Sequence, residues 1–389
     1  MVMNQLLVIA LFTTLIMTQN DNKLSPGITD GEILIGNIQD LSGPLKELGF
    51  LIPAGSQLYF DYVNENGGVH GRKIRMITED HQYNPQKAVV AAKKLIEKDQ
   101  VFSLYNVIGT SPAEAIRSVL EESGVPLVAP ATMSGTMSDL SRQAGDLIFH
   151  TDAGYDVQSN VLVNYILEQN ANAKIGVVYQ DDDYGANVLK GIAEAEERHG
   201  ITIQKEAYQR GAADFQGQTM NLVRGKITDV IIAGIVREPV TIMKTAQAMK
   251  YSPRFFGHAP TVDARVTLMA GEAGEGYTAC YFAFLWDSDE PGPTLYRKLC
   301  EKADIPKEMV GIYNFYGFAT AQVLVEGLER AGKSPTRKKL VKALETLNKW
   351  ESGSYPPITF NPNDHAGVEK VMLLQVQDGK QVAITGWLE

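Results

Sequence analysis

The chain of 389 residues reads as an α/β protein made of two similar lobes, each a parallel sheet with helices on both faces. Three observations predict this. Short apolar runs rich in Ile and Val alternate with longer stretches whose apolar residues recur at helical spacing. The alternation runs to Pro130 and restarts at Tyr155, giving two consecutive sheets. The length allows each lobe its own buried core.

The elements follow in order. Glu32–Gln39, with Ile33, Leu34, Ile35 and Ile38, is a strand, and Leu48–Asn64 a helix broken by Asn66-Gly67-Gly68. Lys73–Thr78 is the second strand. Pro85–Glu97 is an amphipathic helix with Ala88, Val89, Ala92, Leu95 and Ile96 on one face. The strand Phe102–Val107 then leads through Ile108-Gly109-Thr110-Ser111-Pro112 into the helical Ala113–Glu122. The strand Val125–Ala129 opens into Pro130-Ala131-Thr132-Met133-Ser134. In the second half, the helices Tyr155–Gln169, Tyr184–His199, Phe215–Arg224 and Pro239–Lys250 alternate with the strands Lys174–Tyr179, Ile201–Tyr208 and Asp229–Ala233. Arg254–Gly257 and Tyr277–Phe284 are short strands, Tyr313–Ala331 and Pro335–Leu347 long helices. Lys370–Gln377 and Gln381–Trp387 form a hairpin turned at Asp378-Gly379.

Charge narrows the function. With 46 acidic against 36 basic side chains the net charge is −10, so nucleic acid and anionic membrane are poor partners. Leu6–Met17 is too short to span a bilayer but matches the core of an export signal, so residues 1–22 are expected to be a signal peptide. No cysteine lies near it, which excludes a lipoprotein anchor, and no later run is apolar for long enough to cross a membrane. Cys280 and Cys300 are either bridged or separately buried; the sequence leaves both open.

The two junctions after the third and fourth strands carry the chemistry. Each delivers hydroxyls and backbone N–H groups to the carboxyl edge of a sheet, where ligands of open α/β sheets bind. Thr110 or Ser111 is expected at the N-cap with Pro112 first in the helix, so that free amides face outward toward an anion. No general base, metal cluster or cofactor motif accompanies them, so the expected activity is capture of a ligand and not a reaction. Gly327–Ser334 matches the phosphate-loop pattern formally, but it lies at the end of one helix and the start of the next, with Ser334-Pro335 as cap and first residue. Asp181-Asp182-Asp183 lacks calcium-loop spacing and reads as a helix start. The six histidines have no metal spacing and read as surface or hinge residues. Ser42 is either a turn residue or a ligand contact. Tyr184 is either core or a ligand wall, and Arg237 either pairs with Glu238 or brings charge to the cleft.

Together these segments resemble the periplasmic solute-binding proteins of the Leu/Ile/Val-binding type, the type I binding-protein fold. The resemblance runs from Gly31 to Glu389. It is carried by Ile35-Gly36, Leu41-Ser42-Gly43-Pro44, Asn64–Ile74, Asp80 with Asn84–Ala88, Glu121–Ser134, Asp183-Tyr184-Gly185 and Gly311–Leu328. It implies two lobes joined by three crossovers, near His150, Phe282 and Phe360, closing on a ligand. The first lobe would be 30–150 with 283–360 and the second 151–282 with 361–389. By position, Thr110 and Ser111 would grip a ligand carboxylate together with the backbone of Ala131, Thr132 and Met133. Ser42, Leu48, Tyr184 and Tyr313 would form the enclosure, with Arg237 and Asp263 tuning charge on the far side. The resemblance also implies an exported monomer that delivers a small organic carboxylate to the membrane subunits of an ABC importer.

One departure bears on the ligand. Where the family places an acid to meet an α-ammonium, this chain has His258-Ala259-Pro260, and Asp263 would substitute only through a shifted loop. The ligand is therefore expected to be a branched-chain or other hydrophobic amino acid, or an aromatic or aliphatic acid lacking the amine. A ligand-sensing regulator or receptor domain of the same fold, and an α/β enzyme, are the alternatives. The enzyme would need a nucleophile elbow, metal ligands or a phosphate loop in context.

Overall fold

The computed structural model describes residues 24–389, and the expected signal peptide lies outside them. The first sheet contains β1 (Glu32–Gln39), β2 (Lys73–Asp80), β3 (Ser103–Tyr105), β4 (Leu127–Val128) and β5 (Ile148–Phe149), all parallel, in the order β2-β1-β3-β4-β5. The second contains the parallel strands β6 (Ile175–Gln180), β7 (Gln204–Tyr208), β8 (Asp229–Ala233), β9 (Arg254–Gly257) and β10 (Thr278–Tyr281). The antiparallel hairpin β11 (Met372–Gln377) and β12 (Lys380–Ala383) extends it, in the order β12-β11-β10-β9-β8-β6-β7. Asp378 and Gly379 turn that hairpin with φ of 51° and 70°, the double positive φ of a type I′ turn.

Sheets covered on both faces bury continuous apolar runs. β8 is buried at all five positions, and β1 from Ile33 to Gln39. Along β1 the faces alternate: Ile33 and Ile35 join the main core, Leu34 and Ile38 a second cluster with Ala88, Ala92 and Leu95. The covering helices beside the first sheet are α1 (Lys46–Glu65), α2 (Pro85–Lys93), α3 (Thr110–Ala115), α4 (Arg117–Ser123) and α5 (Gly135–Ser141). The second half adds α6 (Tyr155–Gln169), α7 (Asp183–His199), α8 (Gln216–Gly225), α9 (Arg237–Ala248) and α10 (Ala264–Ala270). After β10 come α11 (Pro291–Lys302), α12 (Ile312–Ala331) and α13 (Arg337–Leu344), and α11 and α12 pack on α1. The chain thus passes between the sheets three times: after β5, after β10, and after α13. The passing stretches are tied together by His150 N–H to the His365 carbonyl (2.8 Å) and Phe284 N–H to the Ser354 carbonyl (3.0 Å). Trp387 packs edge-on against Phe284, ring centroids 5.8 Å apart.

Several expectations need correcting. Neither Thr110 nor Ser111 is an N-cap: Gly109 holds that position with φ 91°, Thr110 begins α3, and Pro112 is the third residue. The stretch expected as one helix from Ala113 is broken at Ile116 into α3 and α4. The end of α2 widens into a π turn over Lys94–Lys98. The strand β5 and the helices α5 and α10 carry too few periodic residues to be read in advance; α5 is held by its cap, Ser134 Oγ accepting from Met137 N–H at 3.1 Å. The helix after Gly332 is capped by Thr336, which accepts from Lys339 N–H, and not by Ser334. Asp182 caps α7, accepting from Tyr184 and Gly185. Of the histidines read as surface or hinge residues, His81, His150, His258 and His365 are buried, His150 and His365 on the stretches that pass between the sheets. Cys280 and Cys300 are both buried free thiols.

Candidate functional site

The carboxyl ends of the two sheets face each other, and each strand end contributes a wall. The backbone turns sharply there: Tyr83 after β2, Asn106 after β3 and Ala129 after β4 all have φ near 50°. Such left-handed residues cost energy and persist only where the surrounding structure fixes them. Here the fixing groups are identifiable. The Asn106 carbonyl accepts from Asn37 Nδ2 at 3.1 Å and Asn106 Nδ2 donates to Thr320 Oγ1 at 3.2 Å. Tyr83 N–H donates to His81 Nδ1 at 2.8 Å, while His81 Nε2 meets the Ile108 carbonyl at 2.9 Å, which assigns a neutral ring with its proton on Nε2.

Between the sheets lies a cavity of about 70 Å³, several times the room one water needs. From the first sheet's side it is walled by Leu45, Leu48 and Ile52 at the start of α1, by Tyr83, and by Ile108, Gly109, Thr110, Ala131 and Met133. The facing wall is Tyr184, Ile235, Ala259 and Pro260. Tyr155, Tyr281, Phe282, Ile312, Tyr313 and Tyr316 complete it.

Of the expected ligand contacts, Leu48, Thr110, Ala131, Met133, Tyr184 and Tyr313 come together here. Thr132 stands one layer behind: its hydroxyl lies 2.8 Å from that of Thr110. Ser111 is buried in α3 without lining the cavity. Asp263 caps α10 and is held by Arg265, whose Nη2 lies 2.7 Å from Oδ2, so it does not reach the cavity. Ser42 and Arg237 line an adjoining outer chamber, and Ser42 Oγ donates to Asp80 at 2.6 Å. Arg237 forms no ion pair with Glu238, whose carboxylate accepts from Ile235 N–H instead.

Sequence reasoning missed Tyr83, Tyr155, Tyr281 and Tyr316. Tyr83 carried the same signal as Thr110, a position just past a strand's carboxyl end. The other three sit where an aromatic reads as ordinary core.

The polar surface of the cavity is made of hydroxyls and amides. Burial pushes the phenols of Tyr155 and Tyr83 well above their ordinary range and keeps both protonated. Tyr184 Oη donates to the Gly234 carbonyl at 3.3 Å, and Tyr313 Oη to the Pro260 carbonyl, which joins the two walls. Tyr281 Oη is buried with no partner among the described residues. Among the described residues, no ionisable acid or base other than phenols lines the cavity. Behind the wall, the Asp152 carboxyl accepts from Tyr316 Oη at 2.6 Å and from Thr151 Oγ1 at 2.9 Å; burial raises it to about 7. His258 is fully buried, its Nε2 2.9 Å from Ser159 Oγ, and burial lowers it to about 3. It is a neutral core group and not a substitute for an acid.

Gly109 is indispensable to this geometry. A Cβ there would stand 2.7 Å from Tyr83 Cε2, at a φ that L residues avoid. Gly109→Ala should cost about 1–3 kcal/mol of stability and displace the Tyr83 ring, read as a lowered thermal midpoint with altered ligand affinity.

Comparison with known proteins agrees with this architecture. The periplasmic binding protein family model matches residues 32–381, and the chain belongs to that family. It is 24% identical to the leucine-, isoleucine-, valine-, threonine- and alanine-binding protein of Pseudomonas aeruginosa, over 77% of this chain and 78% of that one. The fold matches a branched-chain amino acid ABC transporter protein from Thermus thermophilus with bound valine (TM-score 0.85, 20% identity, 92% of this chain and 97% of that one). It also matches a fatty acid ABC transporter substrate-binding protein from Thermomonospora curvata (TM-score 0.84, 24% identity, 94% and 95%).

Proposed function

We propose that this protein is the extracytoplasmic solute-binding component of an ABC importer and that its ligand is a small apolar carboxylate without an α-ammonium group. One observation carries the ligand assignment: the cavity offers donors and aromatic surface but no carboxylate. A buried ammonium without an anionic partner is costly. A carboxylate, by contrast, is stabilised by several convergent N–H and O–H donors. The Thr110 and Met133 amides, the Thr110 hydroxyl and the phenols of Tyr83, Tyr155 and Tyr281 are such a set. Leu48, Tyr184, Tyr313 and Phe282 enclose the apolar body. The relatives divide along this line, one named for branched-chain amino acids and one structural neighbour for fatty acids.

In this reading the lobes are residues 30–150 with 283–360 and 151–282 with 361–389, moving together as a clamp. The chain is exported, works as a monomer and hands its ligand to the permease subunits. Calorimetric titration with leucine, isoleucine, valine and phenylalanine beside benzoate and octanoate tests the ligand class. Binding confined to the acids without an amine is expected; binding confined to the amino acids overturns it. Thr110→Ala removes a charge-assisted hydrogen bond of about 1.5–3 kcal/mol and should weaken binding of the acid by at least about tenfold. An unchanged affinity would take Thr110 out of the site.

A further inference from the structure

Behind the cavity the two walls are joined by a polar cluster centred on Asn187, one helical turn beyond Tyr184 on α7 and only 3% exposed. Asn187 Oδ1 accepts from Thr136 N–H of α5 at 2.8 Å, and Nδ2 donates to Glu114 Oε1 of α3 at 3.2 Å. The remaining donor goes to the Asp183 carbonyl of its own helix at 2.8 Å. The same Glu114 oxygen accepts from Ser134 Oγ at 2.6 Å, and Ser134 in turn caps α5. One turn further along α7, Lys190 pairs with Asp139 of α5 and with Asp156 of α6.

A primary amide suits this place because it accepts and donates at once. The Thr136 N–H fixes which end is oxygen, so the nitrogen must face Glu114. A carboxylate there would set one acceptor against another, and an aliphatic side chain would leave both partners without their bond. The cluster is one step from the ligand contacts on every side. Glu114 follows Thr110 by one turn of α3, Ser134 follows Met133 directly, and Asn187 follows Tyr184 by one turn of α7. Thr110, Met133 and Tyr184 all line the cavity, so bringing Asn187 to Glu114 brings their two walls together. The Arg265–Glu47 bridge in the outer chamber, by contrast, joins side chains open to solvent, where an ion pair contributes little.

We propose that Asn187, with Glu114 as its acceptor, is a positioning latch that holds the two walls in register around the ligand without touching it, and so sets how long the ligand stays. This rests on the reading of the two halves as a clamp and names the residues that keep it shut.

The test measures association and dissociation rates with the tightest binder among leucine, valine, benzoate and octanoate. Asn187→Asp sets two carboxylates against each other and should raise the dissociation rate at least about tenfold, with the association rate within about threefold of the parent. Asn187→Ala adds no charge and should raise it about fivefold, which covers the case in which Asn187→Asp does not fold. Asn187→Asp combined with Glu114→Gln exchanges amide and carboxylate across the same gap and should recover most of the loss. The exchange cannot restore the bond to the Asp183 carbonyl, so recovery reports the contact between the walls and not the local helix. An unchanged dissociation rate in the single variants, or a double variant no better than Asn187→Asp, overturns the latch, while binding by the parent leaves the ligand reading intact. If none of these probes binds the parent, the ligand reading falls and small-angle scattering judges the latch. Asn187→Asp should then enlarge the protein and the double variant return it to parental size; equal sizes would overturn it.

Discussion

A Gly317→Val variant is expected to lose its cooperative unfolding transition or to unfold at a much lower temperature than the parent protein. Gly317 on α12 faces α1 so closely that a Cβ would stand 1.9 Å from the Ile52 carbonyl oxygen. The reverse contact is the same: a Cβ on Gly55 of α1 would lie 1.7 Å from the Asn314 carbonyl. The two helices meet backbone to backbone, with Ser56 Oγ 3.1 Å from the Gly317 carbonyl between them. Neither partner has a flexible end that gives way, so the helices must separate. Overpacking of this kind costs about 1–3 kcal/mol or more, against a total of about 5–15 kcal/mol for a typical fold. The same helix carries Tyr313 and Tyr316 into the cavity, so any surviving fold should bind ligand poorly. Gly217, exposed in α8 with open space around its Cβ position, is the control: Gly217→Ala should gain up to about 1 kcal/mol.

Stability should also be strongly pH-dependent, levelling off near pH 7 and falling steeply on the acid side. Burial lowers His150 and His258 to about 3 and lowers His81 and His365 in the same direction. In the unfolded chain these rings take up protons near 6.5, so the stability present above that value is lost as pH falls from 6.5 toward 3. By pH 5 each of the two most shifted rings costs on the order of 2 kcal/mol. Asp152 works in the opposite sense. Its folded value near 7 exceeds the ordinary 3.8, so its contribution is complete below 3.8 and is lost as pH rises to about 7. The groups that face it are the hydroxyls of Thr151, Tyr316 and Tyr355, with no cation among them. Asp152→Asn should therefore steepen the rise of stability between pH 4 and pH 7 and raise the melting temperature at pH 7 and above by a constant amount worth a few kcal/mol. Thermal melts from pH 5 to pH 8.5 on both proteins measure this; a parent curve that rises steadily through pH 8 would contradict it.

The architecture was legible because burial on both sheet faces forces apolar runs such as Val230–Ala233, and helical faces such as that of α2 repeat at their own period. Junction chemistry placed Thr110, Ala131, Met133 and Tyr184 at one cavity for the same reason, since a parallel strand's carboxyl end has a fixed address. What escaped was anything set by a partner far along the chain. The cap at Gly109 depends on the Tyr83 ring, 26 residues earlier by number. Tyr155, Tyr281 and Tyr316 become walls only when two sheets and a late helix converge. The four buried histidines have no local signature, because a ring satisfied by a distant Ser159 or Ile108 looks in sequence like any other.

The packing of Trp387 on Phe284 has a practical consequence. Phe284 lies on one of the three stretches that run between the sheets, while Trp387 belongs to the terminal segment beside the β11 hairpin. Any rotation of one sheet relative to the other must bend that stretch and change the surroundings of the indole. If the lobes close as proposed, tryptophan emission would report the movement without a label, and Trp387→Phe supplies the blank that assigns the signal.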